Sequence, residues 1–254
     1  MNNYKITIQY DGTRYKGWQG QNSTGLTIQG KIEAVLGQMA GHAVEVIGSG
    51  RTDAGVHAKG QVANFHIEEH FTEGKILSYL NHYLPDDIRV QKSDEVESDY
   101  HPRYRNTEKT YEYTILNTKI NLPIYSRYSY HVYHPLDFEA MKEAAELLVG
   151  EHDFSAFCSA GSQVKSKVRT IYEVSLDKQK AMGCNGGEVI RIRVRGNGFL
   201  YNMVRIIAGT LVEIGEGRRC LADVKQALST GERKKAGPTA PPEGLVLVEI
   251  REVP

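Results

Sequence analysis

The sequence predicts an α+β fold that begins with a ferredoxin-like half. Segments that alternate polar and apolar residues, typical of strands, are interspersed with segments whose apolar residues recur at helical spacing. In the first 105 residues these segments follow one another in the order β-α-β-β-α-β, the ferredoxin-like arrangement. The chain has 254 residues, 40% hydrophobic and 24% charged, so it is long enough and apolar enough to bury a sizeable core.

The first strands and the first helix are predicted by their periodicity. Residues 5–9 alternate as a strand, and Thr27 is suited to cap the helix that follows. The apolar face of that helix consists of Ile28, Ile32, Val35, Leu36 and Met39. Residues 44–47 and 61–65 again alternate, so we expect the polar stretch 48–58 to connect two strands at one end of a sheet.

The first half closes with a helix and a strand. The helix is predicted by the apolar residues Ile76, Leu77, Leu80 and Leu84, and Pro85 ends it because a proline disfavours helical backbone in the residue before it. Residues 88–90 begin the next strand. In the aromatic segment before the first helix, Trp18 is predicted to pack beneath the sheet.

The second half shows the same two kinds of pattern. Residues 109–115 alternate, with Tyr111, Tyr113 and Ile115 on one face. A helix is predicted over 137–149, with Phe138, Met141, Ala145 and Leu148 inward, followed by a loop over 151–157. Residues 169–175 form a strand, and 183–187 a hairpin turn. The polar segment 159–167 is predicted to be mobile.

Residues 190–195 have the clearest period-two pattern in the chain. Ile190, Ile192 and Val194 face the core, and Arg191, Arg193 and Arg195 form a stripe on the other face. Three like charges in a row repel one another unless an anion lies over them. The stripe is therefore either a solvated outer face or a contact surface for phosphates, which arginine forks bind well.

Residues 198–212 are apolar almost all round, which predicts a buried helix with Arg205 in its middle. A buried guanidinium needs an anionic partner. No acid lies within the preceding turn, so a carboxylate distant in sequence is the natural candidate, and Asp53 fits.

The connection over 48–58 is the most informative stretch. Arg51 and Asp53 lie two residues apart, which places both side chains on one side of extended backbone. An arginine within about 4–6 Å of an aspartate favours the ionised carboxylate. Two interpretations stay open at this point: a turn with a local ion pair, or a reactive carboxylate beside a fixed cation.

Composition excludes several classes of protein. The chain contains no apolar run of membrane-spanning length and no signal-peptide core at its start, which predicts a cytoplasmic protein that does not enter a membrane. Cys158, Cys184 and Cys220 are odd in number and lack a CxxC pair, which argues for reduced thiols and against a zinc or other metal site. Because the net charge is zero, any RNA surface must come from the placement of charge.

GRTDAGVHA at 50–58 resembles the active-site signature of the TruA family of tRNA pseudouridine synthases. Further segments are similar to family motifs in the same order, namely YDG at 10–12 with GWQ at 17–19, LPDDIRV at 84–90, KTYEYTI at 109–115, HDFSAF at 152–157, MVR at 203–205 and GPTAP at 237–241. The resemblance implies the pseudouridine synthase fold. In that fold two ferredoxin-like halves, 1–105 and 106–254, join their antiparallel or mixed sheets into one central sheet flanked by helices, with the active-site cleft between the halves.

The resemblance also implies roles for individual residues. Asp53 is the catalytic nucleophile, Arg205 pairs with it, and Arg51 takes part in extruding the nucleotide. Tyr111 lies over the target base, and Leu245 packs against it. Arg103, which keeps its place in the family's HAR segment, is a further predicted substrate-binding residue. The stripe of Arg191, Arg193 and Arg195 is added to these from its charge pattern, not from the resemblance.

The implied reaction converts uridine to pseudouridine at positions 38, 39 and 40 of the tRNA anticodon arm, with no cofactor, by a homodimer. Two positions depart from the family pattern: Gly20 stands where a basic residue is expected, and Pro102 interrupts HAR. The main alternative is a related synthase that acts at a different RNA position. A glycoside hydrolase would need a second facing carboxylate, and a non-catalytic RNA-binding module would have no use for an arginine aimed at one.

Overall fold

The computed structural model describes residues 1–21, 23–161, 164–183 and 186–253, and it divides the chain into two units. The first consists of Met1–Asn106 together with the residues from Leu247 onward, and the second is Thr107–Val246. Each unit combines strands and helices, so the predicted α+β class is confirmed. Cys184, part of the predicted turn 183–187 and part of the segment 159–167 lie outside the described residues.

The first unit has the predicted ferredoxin-like order. In its sheet β1 lies between β4 and β3, and β3 pairs in turn with the short β2 and with the last strand, β10. The bounds are β1 (Asn2–Tyr10), α1 (Ile28–Ala40), β2 (Val46–Gly48), β3 (His57–Ile67), α2 (Glu73–Tyr83), β4 (Ile88–Val96) and β10 (Leu245–Glu252).

Local sequence explains where these helices begin and end. The side chain of Thr27 accepts a hydrogen bond from the backbone N–H of Gly30 at 3.2 Å, as expected of the cap of α1. Gly41 ends this helix in the left-handed region, at φ 77°, which glycine adopts without a steric penalty. The predicted apolar face is confirmed, since Ile28, Ile32 and Leu36 are fully buried.

The second unit is built around an antiparallel sheet in the order β5-β9-β8-β7, with β6 parallel to β5. The helices α3 and α4 pack closely, because a β-carbon on Gly215 would lie 2.9 Å from the sulfur of Met141. The bounds are β5 (Thr107–Asn117), β6 (Tyr130–Val132), α3 (Phe138–Glu146), β7 (Gly150–Asp153), β8 (Val168–Lys180), β9 (Glu188–Gly196), α4 (Met203–Gly215) and α5 (Leu221–Thr230).

Three differences from the predicted elements stand out. The helix predicted from residue 198 begins at Met203, because Gly198 has φ 157° and Asn202 has φ 62°, and neither angle is helical. The segment predicted as a loop over 151–157 contains β7 and a short 3₁₀ turn. The strand β3 begins at His57, so the last two residues of the predicted connection belong to a strand. The prediction that Trp18 packs inside is confirmed, since its side chain is fully buried.

None of the helices in the described part of the chain combines the length and the apolar character needed to cross a membrane.

Candidate active site

The connection between β2 and β3 carries Asp53, and hydrogen bonds to β3 fix where it starts. The backbone N–H of Ser49 donates to the carbonyl of Val62 at 2.8 Å. The side-chain amide of Gln61 donates to the carbonyl of Gly50 at 3.1 Å. The chain therefore leaves the sheet at a defined point, three residues before Asp53.

The segment that follows β1 packs directly on this loop, with no space between the two backbones. A β-carbon on Gly12 would lie 2.0 Å from the carbonyl oxygen of Val56. A β-carbon on Gly17, which has φ 95°, would lie 2.8 Å from the carbonyl oxygen of Thr52. That same oxygen accepts a hydrogen bond from the backbone N–H of Trp18 at 3.0 Å. The glycines at these positions are needed because two backbones approach each other closely.

Two side-chain contacts flank Asp53 in sequence, the first of them buried. On one side, the hydroxyl of Tyr10 lies 2.7 Å from Oγ1 of Thr52, and burial raises the pKa of Tyr10. On the other side, Nδ1 of His57 lies 3.1 Å from Oδ1 of Asp11. Both contacts tie the Asp53 loop to the end of β1, so the carboxylate is carried on a rigid support.

Asp53 itself is half-buried, and its carbonyl accepts a hydrogen bond from the backbone N–H of Val56 at 3.1 Å. This tight turn requires φ 79° at Gly55, an angle that glycine adopts freely. Arg51 is exposed. The loop thus holds Asp53 partly exposed, beside an exposed Arg51.

Arg103, a predicted substrate-binding residue, lies against the start of the same loop. Its Nε donates to the carbonyl of Gly48 at 2.9 Å, and the residue as a whole is exposed. The neighbouring carbonyl of Pro102 accepts a hydrogen bond from the hydroxyl of Ser49 at 3.1 Å. The first unit therefore brings Arg51, Asp53 and Arg103 to one loop and its border.

In the second unit, Arg205 lies in the first turn of α4, and two of its side-chain contacts are with uncharged groups. Its Nε donates to the carbonyl of Ala240 at 2.7 Å, and its Nη1 donates to Oδ1 of Asn202 at 2.8 Å. Arg205 is half-buried, so the expectation of a fully buried guanidinium was wrong. The physical reason is that Arg205 lies in the first turn of α4 and not in its middle, although its neighbours Met203 and Val204 are buried.

The segment 237–241, which resembles a family motif, packs directly on α4. A β-carbon on Gly209 would lie 2.0 Å from the carbonyl oxygen of Pro238. The backbone N–H of Ala240 donates to the carbonyl of Arg205 at 3.1 Å, so Ala240 bonds both the main chain and the side chain of that residue. This reciprocal pair sets the position of the arginine along the helix.

Tyr111 and Tyr113 share a face of β5 but differ in their surroundings. Tyr113 is fully buried, its hydroxyl donates to the carbonyl of Pro241 at 2.7 Å, and burial raises its pKa. Tyr111 is half-buried and meets Phe199 edge to face, with ring centroids 5.2 Å apart. Leu245 is buried, with 6% of its surface exposed. Of the two tyrosines, Tyr111 keeps a partly open ring.

The arginine stripe on β9 is matched by acids on the neighbouring strands. Nη1 of Arg191 lies 3.4 Å from Oδ1 of Asp177, and Nη1 of Arg195 lies 2.9 Å from Oε2 of Glu108. Arg193, between them, is exposed. The mutual repulsion on which the phosphate interpretation depended is therefore relieved within the protein at the two outer arginines.

Sequence reasoning missed several residues that support the Asp53 loop or contact Tyr111 and Arg205, namely Tyr10, Thr52, Phe199 and Asn202. Asn202 lies next to the motif that contains Arg205, and asparagine tolerates left-handed backbone better than most residues. That signal was present in the sequence, whereas the contact of Tyr10 with Thr52 depends on tertiary packing alone.

In the described part of the chain, no group of three His, Cys, Asp or Glu side chains is placed to hold a metal ion.

Comparison with known proteins agrees with these features. The profile of a family described as tRNA pseudouridine synthase matches residues 6–105 and 144–251. A tRNA pseudouridine synthase A of Acetivibrio thermocellus is 47% identical over 251 residues, covering 98% of this chain and 99% of the relative. A tRNA pseudouridine synthase A 2 of Bacillus thuringiensis subsp. konkukian is 46% identical over 250 residues, and a tRNA pseudouridine synthase A of Brevibacillus brevis is 45% identical over 250, each with the same coverage. This chain belongs to the TruA family of tRNA pseudouridine synthases.

Proposed function

We propose that the protein isomerises uridine to pseudouridine at positions 38, 39 and 40 of the tRNA anticodon stem-loop. The observation that supports this most is the loop of residues 49–56. It presents a half-buried Asp53 on a backbone fixed by Gly12, Gly17 and Trp18. A carboxylate that must act at one atom of a bulky substrate needs such a rigid support, because small displacements of reacting groups greatly slow a reaction.

The reaction breaks the bond between N1 of uracil and C1′ of ribose and forms a bond between C5 and C1′. The proton on C5 is lost and N1 gains one, so product and substrate are isomers and no oxidant, reductant or metal is consumed. In this proposal Asp53 is the nucleophile or base. Its attack on C1′, its attack on C6 of the base and its removal of a ribose proton on a glycal route all remain open.

The proposed roles of the other residues follow the order of events. Arg51 takes part in extruding the nucleotide, which costs a few kcal/mol of lost stacking. Tyr111 stacks on the extruded uracil, and its partly open ring suits that role. Leu245 packs against the base. Arg205 pairs with Asp53 and keeps the carboxylate ionised.

We further propose that tRNA is bound by a cytoplasmic homodimer and is recognised by shape and phosphate geometry. A chain of zero net charge suits this mode, because its affinity depends on the placement of a few cations. Arg103, Arg191, Arg193 and Arg195 are the proposed phosphate contacts. The ion pairs of Arg191 and Arg195 make Arg193 the most available of the stripe.

The test uses unmodified tRNA transcripts in which pseudouridine is mapped by chemical adduct sequencing. We expect product at positions 38, 39 and 40 with the wild type and none with Asp53→Asn, while that variant still binds tRNA. Asp86→Asn is the matched control, because Asp86 is a fully exposed aspartate outside this loop, and it is expected to be fully active. Equal product from Asp53→Asn and wild type would contradict the mechanism.

The alternative is a related synthase that acts at another RNA position. The same map of pseudouridine positions distinguishes it from the proposed function. Product outside the anticodon arm, abolished by Asp53→Asn, would retain the chemistry and change the substrate site. Transcripts in which the uridines at 38, 39 and 40 are replaced one at a time by cytidine then identify which positions are used.

A further inference from the structure

Asn202 has an unusual backbone and two side-chain hydrogen bonds. Among the described residues it is the one non-glycine with positive φ, at φ 62° and ψ 9°. Its Oδ1 accepts from Nη1 of Arg205 at 2.8 Å, and its Nδ2 donates to Oγ of Ser159 at 2.9 Å. Asparagine tolerates left-handed backbone better than most residues, and strained backbone of this kind clusters at functional sites.

We infer that Asn202 is a positioning residue that sets the direction of the Arg205 guanidinium. The inference deepens the proposed function and rests on it, since Arg205 acts there through Asp53. Neither Asn202 nor Ser159 is given a role by that proposal.

The orientation of the amide follows from the chemistry of its two neighbours. An arginine side chain has donors and no acceptor, so only the oxygen of the amide can face it. The nitrogen then points toward Ser159, whose hydroxyl oxygen can accept. Arg205 thus selects the orientation of the amide, and the hydroxyl of Ser159 holds the amide in that orientation, so the three side chains form one connected chain of hydrogen bonds.

The geometry at Arg205 shows why a second contact matters. The bond from Nε to the carbonyl of Ala240 fixes one edge of the planar group. The bond from Nη1 to Asn202 fixes a second point, and the two points together with the side-chain stem define the plane. The directions of the remaining N–H groups are then set before substrate arrives. Asn202 makes this contact from the residue just before α4, with its backbone in the left-handed region.

Two variants test the inference. Asn202→Gly keeps the left-handed backbone without strain and removes the amide. Ser159→Ala leaves the backbone alone and removes only the hydroxyl that orients the amide. Thermal unfolding checks that each variant is folded. Total pseudouridine is measured in digested RNA, so the result does not depend on which uridine is modified.

For Asn202→Gly we expect kcat to fall about 10- to 100-fold, as for a misplaced reacting group, while KM for tRNA changes less than about threefold. The acid limb of the kcat profile should move to higher pH, because a misdirected guanidinium stabilises the ionised carboxylate less well. Ser159→Ala should show the same pattern with a smaller loss. A folded Asn202→Gly variant with kcat within about twofold of wild type would overturn the inference.

A readout without RNA separates this inference from the proposed function. The ¹H–¹⁵N signal of the Arg205 Nη1 group, which donates to Asn202, is assigned by its absence in Arg205→Lys and should exchange with solvent faster in Asn202→Gly than in wild type. An unchanged exchange rate would contradict the positioning role. If Asp53→Asn remained active while the Arg205 signal responded to Asn202→Gly, the proposed mechanism would fail and the positioning of Arg205 would stand.

Discussion

The hydroxyl of Tyr10 lies 2.7 Å from Oγ1 of Thr52, and Thr52 immediately precedes Asp53. Both residues are buried, with 3% and 7% of their surfaces exposed. The last residue of β1 is thereby joined to the loop that carries the carboxylate. A change at a core position of the sheet is expected to reach the active site through this contact.

Replacing Tyr10 by phenylalanine tests that connection. The ring still packs against Trp18, but Thr52 loses its partner, and we expect a loss of about 1–3 kcal/mol in the free energy of unfolding, the usual cost of leaving a buried polar group unsatisfied. Activity should fall with it. Urea unfolding and pseudouridine formation are the measurements. Thr52→Val removes the other side of the contact. The double variant should lose less unfolding free energy than the two single variants lose in sum. Strictly additive losses would mean that the two side chains do not interact.

Gly12→Ala is expected to abolish or greatly reduce activity. Its β-carbon would lie 2.0 Å from the carbonyl oxygen of Val56, so the backbone of the Asp53 loop must move. Gly74→Ala is the control, since a β-carbon there meets nothing within 4 Å and the residue lies in α2. That variant should gain about 0.5–1 kcal/mol of stability from helix propensity and keep full activity. A fully active Gly12→Ala variant would show that the loop is not held by this contact.

Stability is expected to fall as pH rises above about 10. Burial, and then the hydrogen bond to Asp87, raise the pKa of Tyr15 to about 12. The folded state therefore keeps a proton that the unfolded state loses above its ordinary pKa of about 10. The contribution of Tyr15 is complete below pH about 10 and is lost as pH rises toward 12.

Urea unfolding at a series of alkaline pH values measures this effect. Tyr15→Phe should flatten the decline in stability between pH about 10 and about 12, without removing it, since burial also raises the pKa values of Tyr10 and Tyr113. An unchanged slope in that variant would show that Tyr15 titrates alike in the folded and unfolded states.

Arg193→Gln should weaken tRNA binding more than Arg191→Gln. Arg193 is exposed, whereas Arg191 lies 3.4 Å from Asp177 and already shares its charge with that carboxylate. For Arg193→Gln the slope of log Kd against log salt concentration should be smaller by about one, as expected when one phosphate contact is lost. Filter binding at several salt concentrations measures both. Equal affinity for wild type and Arg193→Gln would remove the stripe from the proposed RNA surface.

Local patterns predicted what depends on local sequence. The strands, the cap at Thr27, the burial of Trp18 and the loop around Asp53 follow from alternation, helical spacing and glycine placement. The short strands β6 and β7 escaped prediction because they have too few residues to show a period. The late start of α4 was missed because Phe199 and Leu200 continue its apolar pattern, although Gly198 and Asn202, which have non-helical backbone angles, were signals in the sequence.

The charged residues were harder to predict than the apolar ones. The partners of Arg191 and Arg195 lie on adjacent strands, and the register that brings them together depends on the whole sheet. The surroundings of Arg205 depend on a segment thirty-five positions later in the chain. The pairing of Arg205 with Asp53 and the cleft between the halves stay predictions.

The placement of β10 has a consequence for synthesis on the ribosome. This strand pairs with β3, the hydroxyl of Tyr100 donates to Glu252 at 2.7 Å, and the backbone N–H of Val253 donates to the carbonyl of Asn106 at 3.0 Å. The first unit thus stays incomplete while all of the second emerges from the exit tunnel. During that interval the nascent chain carries a partly unpaired strand edge, a surface on which strands of other chains can pair.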